Sequence, residues 1–170
     1  MYQHLLLPTD GSALSANAVA SGIRLARALG ARVTGLHVIP ELPESPLDAW
    51  VHGDAKSGPR LKALLDKQAQ QYLAVIARAA DAAGVRCACL HVAGRSPYEE
   101  ILKTAAREGC DLIYMASHGK KGSSALVLGS ETIKVLTHST IPVLVHREGG
   151  AEPVARRTAA PRAQRGSPRK

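Results

Sequence analysis

Through residue 148 of this chain, short apolar runs alternate with longer stretches in which apolar positions recur every three or four residues. The first run, His4 to Pro8, reads as a buried strand. Thr9-Asp10-Gly11-Ser12 then supplies turn and capping residues ahead of a helix in which Val19, Ile23 and Ala26 share a face and Gly30 stands as the C-terminal cap. A second strand, Arg32 to Ile39, stops at Pro40. Residues 41–59, rich in Pro, Gly and Asp, read as a mobile surface loop. The next helix, Arg60 to Ala83, is expected to turn Leu61, Leu64, Leu65, Tyr72, Val75, Ile76 and Ala79 inward, with Gly84 at its end. A third strand covers Arg86 to Val92, and Ser96-Pro97 then opens a helix that carries Ile101, Leu102 and Ala105 inward and ends at Gly109. Asp111 to Met115 is nearly all apolar, as suits a strand covered on both faces. After a loop from Ala116 to Gly129 come a short helix, Ser130 to Thr137, and a last strand, Ile141 to His146.

Five strands alternating with four helices specify an α/β fold, a doubly wound parallel sheet with helices on both faces. Ligands of such sheets bind beyond the carboxyl ends of the strands, where the winding direction switches. Function is therefore expected in the loops after the first and fourth strands.

The chain's 170 residues suit one domain, residues 1–148, followed by a tail. Of the net charge of +8, five units fall in residues 149–170, where six basic residues face Glu152 alone. With three prolines and little that is large and apolar, this stretch reads as a disordered basic tail. No aromatic interleaves its arginines, so a solvated extension is preferred to a contact with nucleic acid or another polyanion. Aromatics are scarce throughout (Trp50, four tyrosines and no phenylalanine), which argues against a base-stacking sheet.

Three cysteines form neither a disulfide framework nor a structural zinc pattern, which points to a reducing compartment. Cys87 and Cys89 flank Ala88 on one strand face and, with Cys110, read as buried structural thiols. The seven histidines show no ligand spacing, and His37 and His91 read as packed within apolar strands. Glu99-Glu100 in a first helical turn is explained by the helix dipole. No run approaches the roughly 20 apolar residues of a membrane span, and Leu5-Leu6-Leu7 is too short for a secretory signal, so a cytoplasmic protein is expected.

The chemistry concentrates in Met115 to Thr132, MASHGKKGSSALVLGSET. Gly119 and Gly122 allow the backbone to reach positive φ and to approach a ligand closely, Lys120 and Lys121 add positive charge, and Gly129-Ser130 opens a helix whose N-terminus attracts anions. With the hydroxyls of Ser130 and Thr132, these are the parts of a phosphate cradle. The chain contains no Walker A loop, and Asp10-Gly11-Ser12 is not a dinucleotide fingerprint. No nucleophile, base and acid can be assembled from the two loops: Ser117-His118 lacks a placed third partner.

Ala116-Ser117-His118-Gly119, nine residues and then Gly129-Ser130 resembles the G-x-x-G, nine residues, G-[ST] signature of the nucleotide-binding universal stress proteins. The likeness extends to Leu7-Pro8-Thr9-Asp10-Gly11-Ser12, Leu36-His37-Val38-Ile39, Gly94-Arg95-Ser96-Pro97 and Pro142-Val143-Leu144-Val145. It implies sheet order 3-2-1-4-5 and binding of an adenine nucleotide, ATP with Mg²⁺, in a stress-response or regulatory role, with at most slow hydrolysis. By the same likeness, Pro8, Thr9 and Asp10 approach the ribose and phosphates, and Asp10 helps to hold the metal. Val38 contacts adenine through its backbone. Met115, Ala116 and His118 line the ribose and phosphate path, Gly119, Gly129, Ser130 and Thr132 wrap the phosphates, and Gly122 and Glu131 also count among the nucleotide-binding positions. A homodimer paired through the last strand is also implied. Ala116 replaces the first glycine of the signature, a change tolerated at negative φ and costly at positive φ. Two other functions remain open on the same residues: a nucleotide hydrolase or adenylate-transferring enzyme, and a dimeric interaction protein that binds no nucleotide.

Overall fold

In the first strand, β1 (His4–Pro8), Leu5, Leu6 and Leu7 are all fully buried, and alternation sends them to opposite faces. Leu5 and Leu7 join the core beneath α1 (Ala13–Leu29) and α2 (Pro59–Ala82). Leu6 joins a second core beneath α3 (Pro97–Glu108) and α4 (Ser130–His138). A strand buried on both faces is the central strand of a doubly wound sheet. A computed structural model of the chain describes residues 1–42, 59–119 and 128–147.

The other strands are β2 (Arg32–Pro40), β3 (Cys87–Gly94), β4 (Leu112–Ala116) and β5 (Val143–His146). All pairings are parallel, in the order β3-β2-β1-β4-β5. This is the expected architecture, with the switch in winding direction at β1. The register sets Pro8 beside Leu36, Val38 beside Val92 and Ala116 beside His146, so the carboxyl ends of the strands form one rim.

The helix caps follow from local chemistry. Ser12 accepts the Ser15 N–H at 3.1 Å, and Gly30, at φ 66°, donates to the carbonyls of Ala26 and Arg27. Ser96 occupies the N-cap of α3, but its side chain makes no capping bond. Helix α2 departs most from the sequence reading. Its buried residues are Ala69, Leu73, Ile76 and Ala80, whereas Leu64 and Val75 are exposed. A helix of 24 residues runs about 36 Å. Its first turns lie beyond the part that packs on the sheet, so their leucines cover no core.

Candidate functional site

The loop after β1 is built by short-range hydrogen bonds. Thr9 donates its N–H to the Leu36 carbonyl at 2.8 Å, and its hydroxyl lies 2.9 Å from that of Ser15 and accepts the Gly11 N–H at 3.1 Å. Gly11 is left-handed at φ 78°, and the ring of Tyr72 packs against its α-carbon where any side chain would stand. The turn aims Asp10 inward, and Asp10 Oδ1 accepts the Ser12 N–H at 2.9 Å.

Across the switch point, Ser117 donates its N–H to the His146 carbonyl and Gly129 donates to the Ser117 carbonyl, both at 2.8 Å. Thr132 is buried and donates its hydroxyl to the Ala116 carbonyl at 3.1 Å, bracing α4 against the end of β4. Its hydroxyl is thereby engaged within the protein. Gly129 caps α4 without a side-chain bond, so the first-turn N–H groups have no partner inside the helix and face the cavity with the positive end of the helix dipole. A Cβ on Gly129 would lie 3.0 Å from the His118 α-carbon, and one on Gly119 would overlap the Asp10 carboxylate. A side chain at either position would thus have to displace the Asp10 carboxylate or the His118 backbone; Gly119 does not take the positive φ expected of it, so close approach and not backbone conformation is what favours glycine there.

Between the loops lies a cavity of about 550 Å³ at the carboxyl ends of β1, β2 and β4, within the range of small-molecule sites. Pro8, Thr9, Asp10, Val38, Met115, Ala116, His118, Gly119, Gly129, Ser130, Glu131 and Thr132 all line it. Gly122, Lys120 and Lys121 lie outside the described residues, as do most of the loop expected at 41–59 and the tail expected at 149–170. Glu131 lines the wall, but its carboxylate is occupied: Oε2 accepts the Tyr98 N–H at 2.9 Å and Oε1 pairs with Lys134 at 2.8 Å. Among the described residues no non-glycine residue has positive φ, so Ala116 sits where a methyl group is tolerated.

The sequence reading missed Ser15, Leu36, His37, Pro97 and Ile101 as lining residues. His37 is more than packed: its Nδ1 donates to the Thr9 carbonyl at 2.7 Å, and its ring meets Tyr72 edge-on at 5.1 Å. Its place at the carboxyl end of β2, near the switch point, was the available signal. On the other side of the sheet's centre, Ser117 Oγ and His118 Nδ1 are 3.2 Å apart.

Among the described residues no cluster of three or more His, Cys, Asp or Glu could hold a metal. A metal here would rest on Asp10 and on oxygens of the ligand, the usual arrangement for Mg²⁺ beside phosphates. Also among the described residues, no helix is long and apolar enough to cross a membrane.

The profile of the Universal stress protein family matches residues 1–147. The chain is 35% identical over 155 residues to Universal stress protein MJ0577 of Methanocaldococcus jannaschii, covering 85% of this chain and 94% of that one. It is 31% identical over 149 residues to Universal stress protein YxiE of Bacillus subtilis, covering 86% and 100%. The solved structure of MJ0577 superposes with a TM-score of 0.69 at 31% identity, over 89% of this chain and 99% of that one. The fold is shared with a universal stress protein in complex with cAMP (TM-score 0.59, 22% identity, 86% and 97% covered). It is shared as well with one from Archaeoglobus fulgidus in complex with dAMP (TM-score 0.57, 15% identity, 85% and 97% covered).

Proposed function

This chain belongs to the universal stress protein family, and on that premise we propose that its cavity binds an adenine nucleotide, ATP with Mg²⁺, in a stress-response or regulatory role in the cytoplasm. The observation that carries the reading is the meeting of two loops that exclude side chains, at Gly119 and Gly129, with the uncapped start of α4 opposite Asp10. A purely structural turn has no need of a vacant space bounded by a carboxylate and a helix N-terminus. The solved relatives with cAMP and dAMP are consistent with an adenine ligand.

In this arrangement the apolar wall of Leu36, Val38, Ile101 and Met115 receives the base, with Val38 offering its backbone. Backbone N–H groups at Gly119, Ser130 and Thr132 receive the phosphates, where the helix dipole favours negative charge, while Gly129, its own N–H held by the Ser117 carbonyl, leaves the space beside them open. Asp10 supplies the protein oxygen for Mg²⁺, and bound Mg²⁺ neutralises part of the phosphate charge. Hydrolysis is at most slow, because activation of water requires a free base within hydrogen-bonding reach: among the described lining residues Asp10 is given to the metal, Glu131 is engaged, His37 Nδ1 is bonded to the Thr9 carbonyl and His118 Nδ1 lies 3.2 Å from Ser117 Oγ. The protein acts as a homodimer paired through β5, an edge strand of the sheet.

The test is mass spectrometry of the nucleotide released when freshly purified protein is denatured, with Gly129→Asp alongside. Bound ATP that disappears in the variant supports the reading. ADP or AMP in its place would favour an enzyme that uses the same pocket. An empty cavity that also fails to take up ATP and Mg²⁺ on titration would overturn the proposal and favour an interaction protein.

A further inference from the structure

Cys87 and Cys89 lie on one face of β3, and their sulfur atoms are 3.8 Å apart. The alternation of a strand places residues i and i+2 on the same side, and here the opposing residue of β2 is Gly35, paired with Cys89. A side chain at Gly35 would meet Ile76 at 3.0 Å and Cys89 Sγ at 3.2 Å, so the glycine leaves room for both. Neither cysteine is a core residue: Cys87 is half-buried and Cys89 exposed, against the sequence expectation of two buried thiols. The reason is position, since β3 is an edge strand. Cys110, by contrast, is buried. Neither Cys87 nor Cys89 lines the nucleotide cavity.

We propose that Cys87 and Cys89 form a reversible intrastrand disulfide, a redox modification site distinct from the nucleotide pocket. Donation from the Cys87 thiol holds Cys89 below the ordinary thiol range, and the same contact together with burial holds Cys87 above it. Cys89, the more exposed of the two, is the nucleophile, and the half-buried Cys87, its sulfur 3.8 Å away, is the resolving thiol, the arrangement of a peroxide-sensing pair. The Cys89 thiolate attacks one oxygen of a hydroperoxide; the O–O bond breaks, the leaving oxygen departs as hydroxide or alkoxide, and a sulfenic acid remains on Cys89. The Cys87 sulfur then attacks that sulfur, the S–O bond breaks, and the S–S bond forms as water leaves with the Cys87 proton. The two sulfurs lose two electrons to the peroxide. The α-carbons of i and i+2 in a strand are roughly 6.6 Å apart, near the upper end of disulfide reach at about 6.8 Å. The bond is therefore strained, and thiols reduce it readily. Closing it puckers β3 at Ala88, disturbs the ladder to β2 and gives up the 3.6 Å contact of Cys89 Sγ with the Leu73 carbonyl of α2.

The sequence provides a clean assay, because cleavage after Arg86 and Arg95 releases both cysteines in one peptide, residues 87–95. Native protein is treated with stoichiometric hydrogen peroxide, alkylated and digested. The expected result is a peptide that has lost two hydrogens and takes up no alkylating agent, restored by dithiothreitol, while Cys110 stays fully alkylated. Cys87→Ser is expected to stop at a sulfenic acid on Cys89 trapped by dimedone, and Cys89→Ser to react with peroxide no faster than Cys110. Two free thiols in the peptide after treatment, a disulfide found only between chains, or direct passage to sulfinic acid would each overturn the proposal.

Discussion

Gly119 stands directly against the carboxylate of Asp10, so closely that a methyl group built on its α-carbon would overlap Oδ2. The two residues come from the loops after β4 and β1, so this contact is where the halves of the doubly wound sheet close on each other. A Gly119→Ala substitution must displace the carboxylate or the loop, and overpacking of this kind costs about 1–3 kcal/mol. Affinity for ATP with Mg²⁺ is expected to fall about tenfold, equivalent to about 1.4 kcal/mol, with only a modest fall in melting temperature. Calorimetric titration decides the matter: unchanged affinity would mean that the Asp10 carboxylate takes no part in binding.

His37 fixes the same loop from behind through its 2.7 Å bond to the Thr9 carbonyl and its edge contact with Tyr72. His37→Phe keeps an aromatic ring beside Tyr72 and removes the donor. A lost hydrogen bond of this kind is expected to cost about 0.5–1.5 kcal/mol, read as a lower urea midpoint at unchanged slope. A midpoint equal to that of the parent chain would assign His37 to packing alone.

How far the sequence reaches depends on the range of the interaction involved. The Thr9–Ser12 turn, the Gly30 cap and the strands around Leu5–Leu7 and Leu112–Met115 were legible because each rests on neighbours in sequence or on a two-residue alternation. The cavity wall was legible in its two glycine-containing loops and missed at His37, Pro97 and Ile101, which reach it only once the strand order is fixed. Periodicity alone placed Leu64 inside, since it marks a stripe along α2 and not the length over which the sheet covers it, and it drew that stripe too wide at Val75, which is exposed between buried Leu73 and Ile76. Cys89 went astray for a related reason: one strand's alternation gives the facing, whereas exposure follows from the edge position of β3.

The far edge carries the next expectation. Leu144 on β5 is 40% exposed, and Ile133 and Leu136 on α4 are 47% and 41% exposed, a concentration of large apolar side chains on the last helix and strand. Pairing of two copies through β5 would satisfy the open ladder and cover this surface. Leu144→Lys and Leu136→Glu are each expected to shift the protein from dimer to monomer in sedimentation experiments, with the cavity at the carboxyl ends of the strands unaltered. A parent chain that sediments as a monomer at all concentrations would exclude the dimer.

At the amino end of β1, two groups make the fold sensitive to acid in the same direction. His4 is buried, with Nε2 2.8 Å from the Thr34 hydroxyl and Nδ1 without a hydrogen-bond partner among the described residues. Burial, and secondarily the Arg32 charge, hold its pKa below the ordinary 6.5. The folded state therefore keeps His4 neutral while the unfolded chain takes up a proton, so stability falls as pH drops below 6.5 towards the depressed value. Asp111 accepts the N–H groups of Gln3 and His4 at 2.8 and 2.9 Å. Burial opposes its ionisation, yet these bonds outweigh it and hold the carboxyl below 3.8. Its contribution is complete above 3.8 and lost as pH falls through the depressed value. Urea midpoints followed from neutral into the acid range are expected to decline in two successive stages. His4→Gln should flatten the first stage. Asp111→Ala should remove the second and lower stability at neutral pH by roughly 1.5 kcal/mol, the low end for hydrogen bonds to a charged group. A first stage that survives in His4→Gln would assign the early acid sensitivity to another group.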